Sequence, residues 1–416
     1  LYLYNYIDNH YSKINRPDIE INGERKKYRK TIGLIDLVSL GLGGTIGSGI
    51  FIVPGIAAGI SGSSVIIAWI FASVYASCVM YSLAKASSKY PSTGAFYYLF
   101  SKVFGKQISI FLVILYIVSS IFGISTIASG IGQYIFSFGL YDINFILLIE
   151  IFIIIIFCLI NIKGLHLSVK TEIILTIIKV LPLIAISILL IQFINESNFY
   201  PFFPTSNFDF LKAIVIVYWS FTGFEIAALF SEETKGGQKV VYRSLKIVIG
   251  ITIFIYIFLN ISLIGSVGSD TLANTSAPVA TASELILKGS NIVIGLIAIS
   301  AMLSAINAYI VGTTRVLQNI SYQLKFQILK DLTRRGSPQA ATIAVAIVTS
   351  VLLLVISNRF DELASVSVIT ILLPYFAVCV SAYKIFFDEY KTKIIAIIGA
   401  FSVLSIFIIY FIIPFF

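Results

Sequence analysis

Long apolar runs separated by short polar segments fill the chain from Leu34 onward. Each run has about 18 to 25 residues, the length of an α-helix that crosses a bilayer core of roughly 30 Å. The alternation typical of a β-barrel is absent, so the runs predict membrane-spanning helices. The eleven predicted spans are 34–58, 63–88, 107–137, 143–161, 169–194, 209–231, 240–266, 290–322, 339–357, 362–385 and 392–414.

The polar segments add detail to this prediction. The aromatic stretch after the second span indicates an interfacial helix that starts near the Pro91/Gly94 turn. The segment Asp270–Lys288 carries a further short helical pattern on the opposite side. Glu150 is interpreted as structural or pore-facing, and Arg315 as a gate or anchor residue at a span end.

Composition agrees with an integral membrane protein. Hydrophobic residues make up 58% of the chain and charged residues 12%, and the mean hydropathy is +0.97. When alternate loops are placed on opposite sides, one side holds nearly all lysines and arginines and the other only Lys212, Lys288 and Arg359. The positive-inside rule then predicts a cytoplasmic N-terminus and, with eleven spans, an external C-terminus. The net charge of +9 is therefore a topology signal and predicts no nucleic-acid partner.

The first span contains a stretch that is poorly suited to a continuous helix. Five glycines fall within the nine residues 41–49, and each costs about 1 kcal/mol relative to alanine in a helix interior. We expect unwinding around Gly43 to Gly49, which would present backbone N–H groups to a carboxylate and carbonyls near Thr45 to an ammonium group. The alternative is that these glycines permit close helix packing; their number around one point favours a zwitterion site.

A second interrupted helix is predicted in span 6, where a glycine and a carboxylate lie in the middle of the apolar run. Spans 1 and 6 are five spans apart, and a repeated unit of five spans must insert upside down. The predicted organisation is a tail at 1–33, a first repeat at 34–194, an inverted second repeat at 209–385 and an additional span at 392–414. The side chains and carbonyls expected to face the cavity from span 6 are Trp219, Phe221, Thr222 and Gly223. The alternative for Trp219 is ordinary packing or an interfacial anchor.

Two ionisable residues inside predicted spans are candidates for proton coupling. Lys179 lies near the centre of span 5, where burial disfavours the charged form and permits proton exchange at working pH. Its alternative role is a fixed ion pair with an acidic neighbour such as Glu225. Glu225 follows the second break and is expected to couple protons or balance a substrate amine; its alternative is a helix-terminal carboxylate stabilised by the helix dipole. No metal site and no disulfide are predicted.

Several motifs together resemble one known family. They are Lys30–Phe51, Ser92–Tyr98, Trp219–Glu225 with Ser231–Lys235, and Ala305–Arg315. The chain resembles amino acid transporters of the amino acid/polyamine/organocation superfamily, which share the LeuT-type fold of two inverted five-helix repeats and usually have twelve spans. The resemblance implies an all-α integral membrane fold with helices 1 and 6 broken.

The resemblance also implies roles for individual residues. The substrate carboxylate would bind at Ile46, Gly47, Ser48 and Gly49. The amine would be held by the carbonyls of Thr45, Trp219 and Thr222. Lys179 would take the place that sodium occupies in sodium-coupled relatives, so the proton is the expected coupling ion and sodium is disfavoured.

These observations predict a secondary transporter that moves amino acids across the plasma membrane by proton symport and alternating access. The protein is not expected to be an enzyme or to need a cofactor other than the coupling proton. Its expected partners are the amino acid substrate and the lipid bilayer, with no obligate protein partner. The alternative within transporters is a proton-independent exchanger of amino acids or polyamines. A channel or a non-transporting receptor is the alternative of a different class, and paired helix breaks disfavour it because a channel would show a repeated pore loop or a ring of charges.

Overall fold

A computed structural model describes residues 30–90, 96–231, 233–333, 336–356 and 359–412. The predicted tail, up to residue 29, and the predicted turn at 91–95 lie outside these ranges. The α-helices are α1 (Leu34–Thr45), α2 (Ser48–Ser61), α3 (Val65–Lys89), α4 (Phe96–Phe104), α5 (Lys106–Ser137), α6 (Ile143–Lys163), α7 (Leu165–Leu189), α8 (Asn207–Trp219), α9 (Gln238–Val267), α10 (Ser269–Ala273), α11 (Pro278–Ser283), α12 (Ser290–Leu324), α13 (Gln339–Val355), α14 (Phe360–Ile385) and α15 (Tyr390–Ile412). Short 3₁₀-helices occupy Gly62–Ser64, Leu190–Phe193, Glu196–Phe199, Phe224–Phe230 and Gln327–Leu329.

Several helices start at capping residues that the sequence supplies. The Asp142 carboxylate accepts hydrogen bonds from the first N–H groups of α6, those of Asn144 and Phe145, at 3.0 and 3.1 Å. Ser206 and Asp209 bond each other's backbone N–H groups at the start of α8. These polar groups satisfy donors that a helix start leaves without intrahelical partners, which fixes where each apolar run begins to wind.

Within the described ranges, nine helical stretches are long and apolar enough to cross a membrane. The first, Leu34–Lys89, has 56 residues; at 1.5 Å per residue it would measure about 84 Å, far more than one crossing requires. The stretch is interrupted at Gly62, where the α-helix ends and whose φ of 60° lies in the left-handed region. Helix α13 is a shorter apolar helix of 17 residues. The total of eleven spans stays a prediction.

The interrupted helices occupy the centre of the bundle. Helix α1 packs against α7, α9 and α12, and α5 packs against α12 and α14. Helices α6 and α15 lie at the periphery and expose large apolar side chains such as Phe152 and Phe401. In a membrane protein such exposed apolar side chains face lipid.

Both segments that were predicted to contain a short helix are helical, and the second is divided between two helices. Helix α4 buries Phe96, Leu99 and Phe100, which agrees with an amphipathic interfacial helix. The segment Asp270–Lys288 contains part of one short helix, α10, and a second, α11.

Candidate functional site

The first helix break is confined to two residues. Helix α1 continues to Thr45, and α2 begins at Ser48. Between them Ile46 has φ −88° and ψ 83°, and Gly47 has φ −125° and ψ −140°. The expectation that unwinding reaches back to Gly43 is therefore wrong, because Gly43 and its neighbours before Thr45 remain helical.

Close packing accounts for the helical glycines of α1. A Cβ atom on Gly41 would lie 2.6 Å from a Val248 methyl carbon, and one on Gly43 would overlap the Glu172 carboxylate. A Cβ on Gly44 would lie 2.7 Å from the Gly223 carbonyl oxygen. The glycines therefore have both of the suggested roles, a helix break and close packing. Gly47 lies in the break, and the earlier glycines let three neighbouring elements approach the α1 backbone.

The second break follows Trp219 and ends at Gly223. Gly223 has a φ of 99°, a conformation that L-residues with side chains rarely adopt. A Cβ there would also overlap the Gly44 carbonyl group. The two interrupted helices thus touch through backbone atoms at Gly44 and Gly223, and a cavity lies beside this contact.

The cavity is small, with a volume of about 10 Å³ open to the centre of a water-sized sphere. Its lining residues are Gly44, Thr45, Gly47, Ser48, Gly49, Ile127, Trp219, Ser220, Thr222 and Tyr309. Six predicted site residues therefore lie together at the cavity: Thr45, Gly47, Ser48, Gly49, Trp219 and Thr222.

Three predicted site residues have other surroundings. The Ile46 carbonyl faces Lys179. The Phe221 ring packs on Trp69 and Tyr256, with ring centroids 5.9 and 5.0 Å away. Gly223 faces the backbone of α1, as described above.

The cavity presents hydrogen-bonding groups without protein partners. Ser48 Oγ, Ser220 Oγ and Trp219 Nε1 are buried and have no hydrogen-bond partner in the described part of the chain. The N-terminus of α2 has no side-chain cap, and the first N–H groups of a helix lack intrahelical acceptors. Leaving such groups buried and unpaired costs about 1–3 kcal/mol each. A ligand that supplies acceptors, a carboxylate above all, satisfies them and gains from the positive end of the helix dipole.

Two of the three carbonyls expected to hold an amine, those of Thr45 and Trp219, already accept protein hydrogen bonds. The Tyr256 hydroxyl lies 2.7 Å from the Thr45 carbonyl oxygen and 3.0 Å from that of Ser220. The Thr222 hydroxyl donates to the Trp219 carbonyl at 2.8 Å. The backbone N–H groups of Gly47 and Thr222 also donate to the Thr45 and Trp219 oxygens, at 3.2 and 3.0 Å. Each of these two oxygens therefore accepts two protein hydrogen bonds, which occupy its two lone pairs. None of the lining residues carries a charged side chain.

Lys179 is buried behind the first break. Its Nζ donates to the carbonyls of Gly43 and Ile46 at 3.1 and 2.8 Å and to Ser304 Oγ at 2.7 Å. These three bonds use all the hydrogens of an ammonium group. Gly43 belongs to α1 and Ile46 to the break that follows it, so Lys179 ties α7 directly to the broken helix.

The acidic group joined to Lys179 is Glu172, which the sequence reasoning missed. Ser304 donates a hydrogen bond to Glu172 Oε1, and Asn307 donates to Oε2 at 2.8 Å. The suggested ion pair between Lys179 and Glu225 is wrong, because Glu225 has other partners. The available signal was the spacing: Glu172 precedes Lys179 by seven residues, about two helical turns, and so shares its face.

Glu225 lies at the second break and closes its turn. Its Oε2 accepts hydrogen bonds from the Gly223 N–H at 2.9 Å and from the Tyr375 hydroxyl at 2.6 Å. The side chain is buried and does not line the cavity. The observed contacts are those of a carboxylate that stabilises a helix terminus and anchors it to α14.

One face of the bundle is closed by a buried ion pair near the start of α1. Arg315 Nε donates to Glu233 Oε1 at 2.9 Å, and both side chains are at most 5% exposed. The Arg315 guanidinium also stacks 4.9 Å from the Phe230 ring centroid. The Glu233 carbonyl accepts bonds from the backbone N–H groups of Thr31 and Ile32. These contacts join the segment before α1, the end of the second interrupted helix and α12.

Comparisons with known proteins agree with this geometry. The family model described as amino acid permease matches residues 32–416. The inner membrane transport protein YbaT of Escherichia coli is 28% identical, with 93% of this chain and 91% of that protein covered. The branched-chain amino acid permease BcaP of Bacillus subtilis is 24% identical, with 70% and 67% covered. The crystal structure of MhsT in complex with L-phenylalanine superposes with a TM-score of 0.68 at 13% identity, over 93% of this chain and 99% of that chain. The predicted LeuT-type fold is confirmed.

Proposed function

The chain belongs to the amino acid permease family of membrane transporters, and from that premise we propose that it is a secondary active transporter of neutral amino acids, driven by proton symport. Families of this kind are transporters and not enzymes, which confirms the expected absence of enzymatic activity. The substrate site of the proposal is the cavity between the two helix breaks. Alternating access would open this cavity to one side of the membrane at a time.

The observation that carries the proposal is the set of unpaired polar groups at the cavity. The uncapped start of α2 and Ser48 Oγ offer donors to a carboxylate. In the proposal the substrate amine binds at the carbonyls of Thr45, Trp219 and Thr222, and it would share the Thr45 and Trp219 oxygens with the protein hydrogen bonds that they already accept. A free α-amino acid carries both groups at one carbon atom, so it matches donors and acceptors that line one cavity between two broken helices.

The lining favours a substrate with an uncharged side chain. A buried cationic side chain without a counter-charge would cost several kcal/mol, and no residue that lines the cavity carries a charge. This argues against the polyamine alternative. The relative named as a branched-chain amino acid permease supports an apolar side chain.

The surroundings of Lys179 support a proton as the coupling ion. Two backbone carbonyls and one hydroxyl converge on Nζ, an oxygen set of the type that coordinates a hard cation. The ammonium group supplies the positive charge at this position, so sodium is not needed there. The proposed cycle alternates the charged and the neutral amine, because a change of charge alters how firmly α7 holds the broken helix.

The proposed orientation follows the distribution of basic residues. The face that carries the start of α1, the Arg315–Glu233 pair and the large majority of lysines would be cytoplasmic. The proposed location is the plasma membrane, with multiple spans and a cytoplasmic N-terminus. In that orientation the ion pair closes the inner gate of the transporter.

Ligand-induced thermal stabilisation of the purified protein tests substrate binding. Neutral L-amino acids are expected to raise the unfolding temperature, since a ligand at 100 times its Kd stabilises by about 2.7 kcal/mol. The matched probes are the same amino acids with the carboxylate amidated or the amine acetylated, which should give no shift. Equal stabilisation by arginine or by a polyamine would contradict the assignment to neutral substrates.

A further inference from the structure

A continuous hydrogen-bonded chain leads from Lys179 to the buried carboxylate of Glu172. Lys179 Nζ donates to Ser304 Oγ at 2.7 Å, and Ser304 Oγ donates in turn to Glu172 Oε1. Glu172 is fully buried, as are Lys179 and Ser304. The donors all point in one direction, so a single hydroxyl bridges the ammonium group and the carboxylate.

The polar chain continues beyond Glu172 toward the face where α7 begins. Asn307 Nδ2 donates to Glu172 Oε2 at 2.8 Å and lies 3.0 Å from the Ser168 carbonyl oxygen. Ser168 Oγ donates to Asn161 Oδ1 at 3.2 Å. Ser168 is the fourth residue of α7, and Asn161 lies two residues before the end of α6. The groups therefore follow a line from the first helix break to one end of the bundle.

We propose that Glu172 is a second proton-binding site of the transporter, which receives the proton of Lys179 through Ser304 and releases it at the face where α7 begins. The inference rests on the proposed proton coupling, and it adds the acceptor that such coupling requires. The backbone of Glu172 lies nearer to that face than the backbone of Lys179, since seven residues of helix rise about 10.5 Å, while the single Ser304 hydroxyl bridges the two side-chain groups.

The transfer moves one proton and needs no other reactant. One Lys179 N–H bond breaks as its proton binds Ser304 Oγ, and the original Ser304 hydroxyl proton binds Glu172 Oε1. An ammonium, a hydroxyl and a carboxylate become a neutral amine, a hydroxyl and a carboxylic acid, with the total charge unchanged. Release from the carboxylic acid to water then restores the carboxylate when the face opens.

Burial makes both forms of the pair accessible. Desolvation penalises two buried charges while their attraction offsets part of that penalty, so an ionised pair and a neutral pair can have similar free energies. The groups that surround the acid from neighbouring helices are the neutral side chains of Ser304 and Asn307 and the backbone of Gly43. In the described part of the chain, Lys179 is the charged group on this relay. A change in the charge of Lys179 therefore alters which charge state is favoured at Glu172.

The test uses the full chain in liposomes that contain an entrapped pH-sensitive dye, with an equimolar mixture of L-alanine, L-leucine and L-phenylalanine as the probe. Counterflow at equal pH reports substrate exchange, and dye acidification on substrate addition reports proton entry. Glu172→Gln keeps the shape of the side chain and one of its two acceptor oxygens but cannot bind the relayed proton. We expect it to retain counterflow and to lose proton entry by about 10²-fold, the scale for removal of a positioned proton-transfer group.

Glu150→Gln is the matched control. Glu150 is also a buried carboxyl group, but it lies on α6 against Gly132, away from the relay. The Glu150→Gln variant should leave proton entry per transported amino acid unchanged. Ser304→Ala should reproduce the Glu172→Gln phenotype because it removes the bridging hydroxyl, and Ser304→Thr should restore proton entry because it returns one.

The outcomes separate the relay from the proposed function. A wild-type protein that shows counterflow without any proton entry would refute proton coupling itself. A coupled wild-type protein whose Glu172→Gln and Ser304→Ala variants acidify normally would overturn the relay and leave the transporter assignment intact. Should Glu172→Gln fail to insert, the Ser304→Ala and Ser304→Thr pair decides the question.

Discussion

Replacing Ser48 by alanine should weaken substrate binding without weakening the empty protein. Ser48 is the first residue of α2, is completely buried, and its Oγ has no hydrogen-bond partner in the described part of the chain. Nothing in the protein loses a bond when this hydroxyl is removed. A bound carboxylate does lose one, because Ser48 Oγ and the helix N-terminus face the same cavity.

The expected magnitude follows from the charge of the acceptor. A hydrogen bond to a charged group contributes about 1.5–3 kcal/mol, so Ser48→Ala should raise Kd by roughly 10- to 150-fold. The thermal unfolding temperature of the substrate-free protein should stay the same or rise, since an unpaired buried hydroxyl is replaced by a methyl group.

Titration of purified protein with a neutral amino acid, together with thermal unfolding without substrate, measures both effects. Ser381→Ala is the matched control: Ser381 is also buried with an unpaired hydroxyl, but it lies on α14 outside the cavity lining. It should leave Kd unchanged. A Ser48→Ala variant that binds as tightly as the wild type, or that loses affinity only because the empty protein unfolds, would refute the carboxylate site.

Three further substitutions test other parts of the account. Gly49→Ala would place Cβ 2.7 Å from Ser220 Cα and should abolish substrate binding in a protein that still inserts. Gly250→Ala should bind substrate normally, because the added Cβ would have no neighbouring atom within 4 Å. Ligand-induced thermal stabilisation measures binding by both variants. Lys179→Gln should abolish accumulation driven by a pH gradient, and unchanged accumulation would remove Lys179 from the mechanism. Arg315→Gln leaves Glu233 buried and unpaired, which should cost about 3–5 kcal/mol and lower the thermal unfolding temperature. Arg359→Gln breaks an exposed ion pair that is expected to contribute at most about 1 kcal/mol. An equal fall in the unfolding temperature of the Arg315→Gln and Arg359→Gln variants would contradict the role of the buried pair at the gate.

The helix breaks could be located from sequence because their signals are local. A cluster of glycines inside an apolar run and a Gly-Phe-Glu sequence inside another both mark positions where regular winding is unfavourable. Their extent could not be read in the same way. Gly41, Gly43 and Gly44 stay helical because α7, α9 and the second broken helix pack onto them, and packing of distant elements is invisible in a short stretch of sequence.

The missed residues depend on helix rotation and on contacts between distant parts of the chain. Ile127 and Tyr309 line the cavity from α5 and α12, but long helices that are apolar around most of their circumference do not show which face points inward. Glu172 meets Ser304 across 132 positions of sequence. Its place in the apolar run already marked it as costly to bury and therefore as a functional candidate.

Uptake in proteoliposomes tests the central claim most directly. With an inwardly directed proton gradient and no sodium present, neutral radiolabelled amino acids are predicted to accumulate with saturation, to lose accumulation when a protonophore is added, and to show greatly reduced uptake with Ser48→Ala. Absence of saturable uptake and counterflow for every amino acid tested, with correctly folded protein in the membrane, would contradict the account.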